Sequence, residues 1–336
     1  MVKALVTGGS GFIAAHVVDI LLKYGHDVVF TVRSDEKGKK ILSNHPGQPK
    51  SKLSYVIVED IAQEGAFDKA VISDPPFEAV LHTASPFHFK VTDPKKDLLD
   101  PAILGTTGIL KSIKKSAPTV TRVVITSSFA AIINSANHSP TYNEADWNPV
   151  KLEEASNDAS TAYRASKTLA EKAAWDFVEK EKPNFSVSTI NPPVVFGPIV
   201  SYLNNLDAVN TSNERVLRLI RGDFKTEGLP PSGIYIWVDV RDVALAHVKA
   251  IEIPAAAGKR FFVTAGYFSN GEVAQIIKEN FPQFAARLPE NLESDKPKGV
   301  YGIDNSRSKQ ILGLEYRSLK DSVVDTVKSL EAAGAK

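Results

Sequence analysis

The stretch at residues 2–15, VKALVTGGSGFIAA, constrains the fold more than any other part of the chain. Residues 2–7 are β-branched and apolar without polar alternation, which predicts a strand buried on both faces of a parallel sheet. A glycine-rich turn follows directly, and helical spacing of apolar residues begins at Phe12. A strand that passes through glycines into a helix can bind the pyrophosphate of a dinucleotide at the helix N-terminus.

The glycines follow the spacing Gly-x-x-Gly-x-x-Ala rather than Gly-x-Gly-x-x-Gly. Gly8 permits the sharp turn, Gly11 lets backbone amides approach a pyrophosphate, and Ala14 keeps the helix close to the strand. A plain tight turn between strand and helix is the alternative, but the position directly after a strand favours dinucleotide binding. The predicted cofactor contacts here are Gly8, Gly9, Ser10, Gly11, Phe12 and Ile13.

Strand-like and helix-like segments alternate along the first 190 residues. Further strands are predicted at residues 27–32, 53–58, 79–83, 122–127 and 186–190. Helices are predicted at residues 67–72, 98–115 and 163–180. This alternation predicts an α/β fold of the Rossmann type, a doubly wound parallel sheet with right-handed crossovers.

The alternation stops at residue 191, where proline, glycine and asparagine become frequent. A helix is expected at 213–220, a strand and helix at 235–251, a strand at 260–264 and amphipathic helices that include 273–277 and 319–330. We therefore expect a Rossmann domain of residues 1–195 plus 234–266. A smaller, mostly helical substrate lobe would comprise residues 196–233 plus 267–336.

Composition excludes several classes of function. The net charge of +1 comes from 40 basic and 39 acidic residues that are interspersed, so no nucleic-acid or membrane partner is expected. The chain has no cysteine and seven scattered histidines, which argues against thiolate or metal chemistry. A glycine turn, His16 and Asp19 interrupt the apolar N-terminus, which argues against a signal peptide, so we expect a cytoplasmic protein. The interspersed charges favour a small-molecule substrate as its partner. Monomer and homodimer both remain open.

Tyr163 and Lys167 are spaced i and i+4 on the predicted helix 163–180. Their side chains share one helical face, where their polar ends can approach a common point. A phenol is a weak acid, and a nearby ammonium together with an oxidised nicotinamide would lower its pKa. The pair therefore predicts proton transfer, although the same spacing also occurs by chance in solvated helices.

Four further segments carry a family resemblance: residues 83–87 (TASPF), 126–131 (TSSFAA), 191–198 (NPPVVFGP) and 238–244 (VDVRDVA). With the glycine turn, they resemble the extended branch of the short-chain dehydrogenases/reductases. Within it, the chain is similar to the fungal NADPH-dependent aldehyde and ketone reductases, including methylglyoxal and 3-methylbutanal reductases. Dihydroflavonol and cinnamoyl-CoA reductases of plants are related to this group. The resemblance implies that Ser128, rather than Ser127, completes a catalytic triad with Tyr163 and Lys167.

The resemblance also implies further cofactor contacts outside the glycine turn. They are Lys37, Asp60 and Ile61 (adenine), Ala84, Ser85, Val195 and Ser212. Lys167 can in addition bond the cofactor ribose. Arg33 follows the second strand, where NAD-specific proteins usually have an acidic residue, and an arginine there can bind the 2′-phosphate of NADPH.

The sequence therefore predicts an NADPH-dependent carbonyl reductase. A sugar-nucleotide epimerase or dehydratase that retains NAD, and a cofactor-sensing regulator without chemistry, are the alternatives. Four apolar residues beside the strand ends are expected either to line the substrate pocket or to pack in the core: Phe87, Phe129, Val194 and Trp237. Such walls favour neutral aldehydes and ketones.

Overall fold

The structure is a computed structural model that describes residues 1–85, 93–156, 158–203 and 206–335. Its strands are β1 (Lys3–Thr7), β2 (Asp27–Val32), β3 (Leu53–Ile57), β4 (Ala79–His82), β5 (Arg122–Thr126), β6 (Thr141–Tyr142), β7 (Ser186–Asn191), β8 (Val194–Phe196), β9 (Ile236–Asp239), β10 (Arg260–Phe262), β11 (Gly266–Tyr267) and β12 (Gly302–Ile303). Its α-helices are α1 (Phe12–Lys23), α2 (Asp35–Ser43), α3 (Asp100–Ser116), α4 (Ala159–Glu181), α5 (Thr211–Arg221), α6 (Val240–Glu252), α7 (Asn270–Asn280), α8 (Ser306–Leu312) and α9 (Leu319–Ala332).

In the described residues, seven strands form one parallel sheet in the order β10-β7-β5-β4-β1-β2-β3. The chain order reverses between β1 and β4, which is where ligands bind in doubly wound sheets. The predicted Rossmann-type fold is confirmed. Two smaller sheets, β11-β9-β8 and β12-β6, accompany it.

Alternate residues of the central strands enter two separate hydrophobic clusters. Val6 and Leu81 belong to the cluster that α1 and α6 cover, whereas Leu5 and Val80 belong to the cluster under α3 and α4. Because both faces of the sheet are covered, its strands carry continuous apolar runs. This is why they were recognisable in the sequence.

A third cluster joins α5, α7 and α9 around Phe196, Trp237 and Phe268. It lies beyond the last residues of β7, in the part of the sequence where the alternation of strands and helices stops. Among the helices of the described ranges, none is long and apolar enough to cross a membrane.

One helix prediction was wrong, and one helix was not predicted. Residues 67–72 form turns rather than a helix, because the segment is too short to sustain one, although Phe67 and Val71 are buried as its apolar pattern requires. No apolar periodicity predicts α2, since only Gly38 and Ile41 of that helix are buried. Ser34 caps this polar helix by accepting a hydrogen bond from the Lys37 amide.

Candidate active site

The glycine turn is shaped by close packing against neighbouring strands. Gly8 has φ +73°, and a Cβ on it would lie 3.0 Å from the Cα of Ala84. A Cβ on Gly9 would lie 2.7 Å from the ring of Phe30. The amides of Gly8 and Gly9 both donate to Thr31, at 3.0 Å to Oγ1 and 2.8 Å to the carbonyl. These two glycines are therefore required by the fold of the turn itself.

Gly11 serves a different purpose. It is exposed, it precedes the first residue of α1, and no described side chain caps the helix there. The amides of the first helical turn lack intrahelical acceptors and carry the positive end of the helix dipole. Ala14 is 2% exposed, so α1 lies close to the sheet. This uncapped turn, with Ser10, Phe12 and Ile13 half-buried around it, fits a pyrophosphate group.

Arg33 and Lys37 lie at the end of β2 and in the first turn of α2, and both are exposed. Within the described ranges, Arg33 has no carboxylate at ion-pair distance. Its neighbour Asp35 is engaged elsewhere, with Lys39 Nζ at 2.6 Å and Tyr55 Oη at 2.5 Å. The guanidinium is therefore open to an anion.

Asp60 and Ile61 lie near this positive group. The pKa of Asp60 is lowered by hydrogen bonds from Gln63 and the Ala62 amide and by the charge of Arg33. The half-buried Ile61 packs against α3, where a Cβ on Gly105 would come within 3.0 Å of its Cδ1. The structure thus brings together the predicted adenine and 2′-phosphate contacts.

Ala84 and Ser85 follow β4, beside the glycine turn. The amide of Ala84 donates to Thr7 Oγ1 at 3.1 Å, which ties this segment to the end of β1. Ser85 Oγ accepts a hydrogen bond from Lys167 Nζ at 3.0 Å. Cofactor contacts predicted on two distant segments therefore meet at the reversal point of the sheet.

Ser128, Tyr163 and Lys167 converge at the carboxyl end of β5. Tyr163 Oη donates to Ser128 Oγ at 3.4 Å, and both Tyr163 and Lys167 extend from α4. Ser127 lies on the other side of the strand end, where its hydroxyl donates to Glu171 at 2.5 Å. Of the two adjacent serines, Ser128 is the one that faces the tyrosine.

Burial changes the acidity of this pair. It raises the pKa of Tyr163, an effect that the hydrogen bond with Ser128 partly offsets. It lowers the pKa of Lys167 to about 8, while the charge of Glu171 acts in the opposite direction. That the ammonium of Lys167 and an oxidised nicotinamide together lower the pKa of the tyrosine stays a prediction. In the structure the ammonium donates to Ser85 Oγ at 3.0 Å.

Val195 and Ser212 are joined directly, since the Val195 amide donates to Ser212 Oγ at 3.2 Å. Val195 lies in β8 and Ser212 in the first turn of α5. The hydrogen bond holds the start of the helical region against the strand that follows the site.

Of the three expected pocket residues that the structure describes, Val194 and Trp237 are cross-strand partners in one cluster, whereas Phe129 belongs to another. Phe129 is 2% exposed and stacks on Phe262 with ring centroids 5.2 Å apart, and Trp237 is 3% exposed beside Phe196 in a different cluster. Val194 is half-buried. Phe87 lies outside the described residues. The geometry favours packing roles for Phe129 and Trp237 and leaves Val194 as the most accessible described candidate.

A buried polar network that was not predicted from the sequence lies behind the triad. Glu171, Asn191 and Arg260 are each less than 9% exposed and are hydrogen-bonded to one another through the glutamate. Glu171 lies one helical turn after Lys167, so the helical periodicity that revealed Tyr163 and Lys167 could have revealed it too. Arg260 is distant in sequence and gave no such signal.

The family model described as NAD dependent epimerase/dehydratase family matches residues 4–264. The ketoreductase azaE of Aspergillus niger is 49% identical over 329 residues, which cover 98% of this chain and 97% of that protein. The NADPH-dependent methylglyoxal reductase GRE2 of Saccharomyces cerevisiae is 38% identical, with 98% of both proteins covered.

A solved structure is similar to this chain over nearly its whole length. The yeast methylglyoxal/isovaleraldehyde reductase Gre2 complexed with NADPH superposes with a TM-score of 0.91 at 37% identity, covering 98% of each chain. The resemblance inferred from the four sequence segments is thereby confirmed. The chain belongs to the NAD dependent epimerase/dehydratase family, the extended short-chain dehydrogenases/reductases.

Proposed function

We propose that this chain is an NADPH-dependent reductase that converts aldehydes and ketones into alcohols. The observation that carries the proposal is the contact of Tyr163 Oη with Ser128 Oγ at 3.4 Å, with Lys167 one helical turn away. The three side chains lie at the carboxyl end of β5, on the edge of the sheet where a dinucleotide binds. The names of the relatives, a ketoreductase and methylglyoxal reductases, support this chemistry.

Each residue of the triad has a separate role in the reduction. Bound NADPH supplies the hydride that reduces the carbonyl carbon. Ser128 donates a hydrogen bond to the carbonyl oxygen, which stabilises the negative charge developing there. Tyr163 gives its proton to that oxygen, completing the alcohol, and its raised pKa means that the phenol carries this proton beforehand. The positive charge of Lys167 stabilises the phenolate left behind.

The cofactor would be held along the carboxyl edge of the sheet. The uncapped turn at Gly11 would bind the pyrophosphate and Arg33, with Lys37, the 2′-phosphate. The other proposed contacts follow from position: Asp60, Ile61, Ala84, Ser85, Val195 and Ser212. The open guanidinium of Arg33 is the feature of this chain that argues for NADPH over NADH.

For the substrate we propose neutral aldehydes, α-dicarbonyls and prochiral ketones. The lobe of residues 196–233 plus 267–336 would supply specificity, and the half-buried Val194 would form part of the wall. Shape discrimination by such a wall would make the reduction of prochiral ketones stereoselective. We place the reaction in the cytoplasm.

The test is NADPH oxidation, followed by absorbance, across methylglyoxal, 3-methylbutanal, aryl ketones, keto acids and acyl-CoA thioesters. We expect the neutral carbonyls to be reduced with the highest kcat/KM. Preference for keto acids or thioesters over every neutral carbonyl would overturn the substrate class. NADPH binding without oxidation of any carbonyl would identify a sensor, and retained NAD with conversion of a sugar nucleotide would identify an epimerase or dehydratase.

A further inference from the structure

Glu171 is a buried carboxylate directly behind the proposed catalytic residues. It is 2% exposed and lies on α4, one helical turn after Lys167 and two after Tyr163. A charged group is rarely buried to this degree unless it is fully hydrogen-bonded. Its partners therefore indicate what it stabilises.

Three of those partners lie at or near the carboxyl ends of β5 and β7, beside the triad. Glu171 accepts hydrogen bonds from Ser127 Oγ at 2.5 Å, Asn191 Nδ2 at 2.7 Å and Thr189 Oγ1 at 2.8 Å. Asn191 Nδ2 also donates to the backbone carbonyl of Ser128 at 3.3 Å. The carboxylate thus ties β5 to β7 directly beneath the hydroxyl that faces Tyr163.

Glu171 also faces Lys167. Both line a cavity of about 10 Å³, together with His82, Ser85, Thr106 and Ser127. A polar cavity of this size admits about one water molecule. The buried Nε2 of His82 has no hydrogen-bond partner within the described residues. An ammonium, a carboxylate and an imidazole therefore surround one small polar space.

Among the described residues, Arg260 is a further charged group that contacts Glu171. Arg260 Nε donates to Glu171 at 2.7 Å, and the guanidinium also donates to the backbone carbonyls of Glu144 and Asp146. The carboxylate of Glu144 accepts from the Phe262 amide instead. His82 is neutral near pH 7, because burial and the charge of Lys167 lower its pKa to about 3. At Lys167, burial lowers the pKa and the charge of Glu171 raises it, and Arg260 is bonded to the same carboxylate.

We propose that Glu171 is a positioning residue for the reduction: it fixes Ser128 through Asn191 and supplies the negative charge that keeps Lys167 protonated. The inference rests on the proposed function. A purely structural ion pair with Arg260 would explain the burial of Glu171 but would leave the charge of Lys167 unaffected. The two roles therefore differ in the pH dependence of the reaction.

The experiment is the pH profile of kcat/KM for carbonyl reduction at saturating NADPH, comparing the native protein with Glu171→Gln. The ammonium form of Lys167 is the active one, so the rate falls as pH rises through its pKa. Because the carboxylate raises that pKa, its removal should move the fall in rate to lower pH, by roughly half a unit or more. Displacement of Ser128 should also lower kcat by about ten- to a hundredfold.

Two matched variants separate charge from packing. Glu171→Asp keeps the negative charge and should return the fall in rate to its native pH, even with a reduced kcat. Glu144→Gln alters another buried glutamate that also contacts Arg260, but through its backbone. It should leave the pH profile in place. An equal shift in Glu144→Gln, or no shift in folded Glu171→Gln, would overturn the inference.

If Glu171→Gln does not fold, a substitution of Arg260, the cation bonded to Glu171, tests the same inference. Arg260→Gln removes the cation that competes for Glu171, so the fall in rate should move to higher pH. A movement to lower pH, or none, would count against the role of Glu171. Failure of the native protein to reduce any carbonyl would instead refute the proposed function, and the positioning role with it.

Discussion

The proposed cofactor edge and the proposed substrate wall of this protein differ in how their residues are positioned. The cofactor edge comprises the segments after β1, β2, β4 and β5. There the strands of the sheet position the backbone groups and polar side chains. Gly9, for example, leaves no room for a Cβ beside Phe30. The substrate wall comprises, among the described residues, Phe129, Val194 and Trp237. These side chains are apolar and belong to two different clusters, and Phe129 and Trp237 are almost fully buried.

This difference explains why one region is easier to identify than the other. A glycine turn directly after a strand and a Tyr–Lys pair on one helix indicate a specific site when they occur together, whereas a phenylalanine beside a strand end fits a core as well as a pocket. The cofactor edge should therefore respond to substitution by losing a specific chemical step. The almost fully buried Phe129 and Trp237 should respond mainly through lost packing, and the half-buried Val194 through a small change in substrate preference.

The largest expected effect lies beside the cofactor edge, at Tyr163 of α4. Tyr163→Phe removes the proton donor and should lower kcat by about a hundred- to ten-thousandfold, the usual contribution of a general acid. NADPH affinity, measured by fluorescence titration, should stay close to native. Tyr267→Phe is the control, since its hydroxyl donates to the Tyr301 carbonyl away from the triad. Native turnover in Tyr163→Phe would exclude the tyrosine as the acid.

The next effect distinguishes the two cofactors. Arg33→Asp removes a cation and adds a negative charge beside the proposed 2′-phosphate, so the KM for NADPH should rise about ten- to a hundredfold more than that for NADH. Arg221→Asp makes the same charge change at the exposed end of α5 and should not alter the ratio of the two KM values. Equal changes for both cofactors in Arg33→Asp would refute the phosphate contact.

Much of the fold could be read from the sequence because the central strands are apolar throughout. The strand predicted at 27–32 is β2 itself, and those at 122–127 and 186–190 end one residue from β5 and β7. The polar helix α2 was missed because its solvent-facing residues show no apolar periodicity. In its sequence, the features that indicate a helix are the capping residue Ser34 and the apolar Ile41.

The site could be read in part. Tyr163 and Lys167 are local to one helix, so their spacing alone brings them together. The choice between Ser127 and Ser128 depended on family resemblance, and only the three-dimensional contacts show Ser127 bound to Glu171. Glu171 and Arg260 are 89 residues apart, and no local pattern predicts such a pair. Burial, which raises the pKa of Tyr163, likewise depends on the whole fold and has no local sequence pattern.

A third prediction tests the claim that backbone geometry determines the cofactor edge. Gly9→Ala places a Cβ 2.7 Å from the ring of Phe30 and should lower the free energy of unfolding by about 1–3 kcal/mol, because the ring must move. Gly108→Ala is the control: it lies in α3, and no described atom outside its own helical turns lies within 4 Å of the position that its Cβ would take. It should be neutral or stabilising. Thermal and denaturant unfolding would show a stable Gly9→Ala if the packing argument is incorrect.

The smallest expected effect concerns the wall. Val194 is half-buried, so Val194→Ala should change the ratio of kcat/KM between an aryl ketone and methylglyoxal by no more than about tenfold, with little loss of stability. Val238→Ala is the control, because Val238 is fully buried in the neighbouring strand β9. It should lower stability through lost packing while leaving the substrate ratio near native. If Val238→Ala shifts the ratio and Val194→Ala does not, then packing in the core, rather than an accessible wall at Val194, selects the substrate.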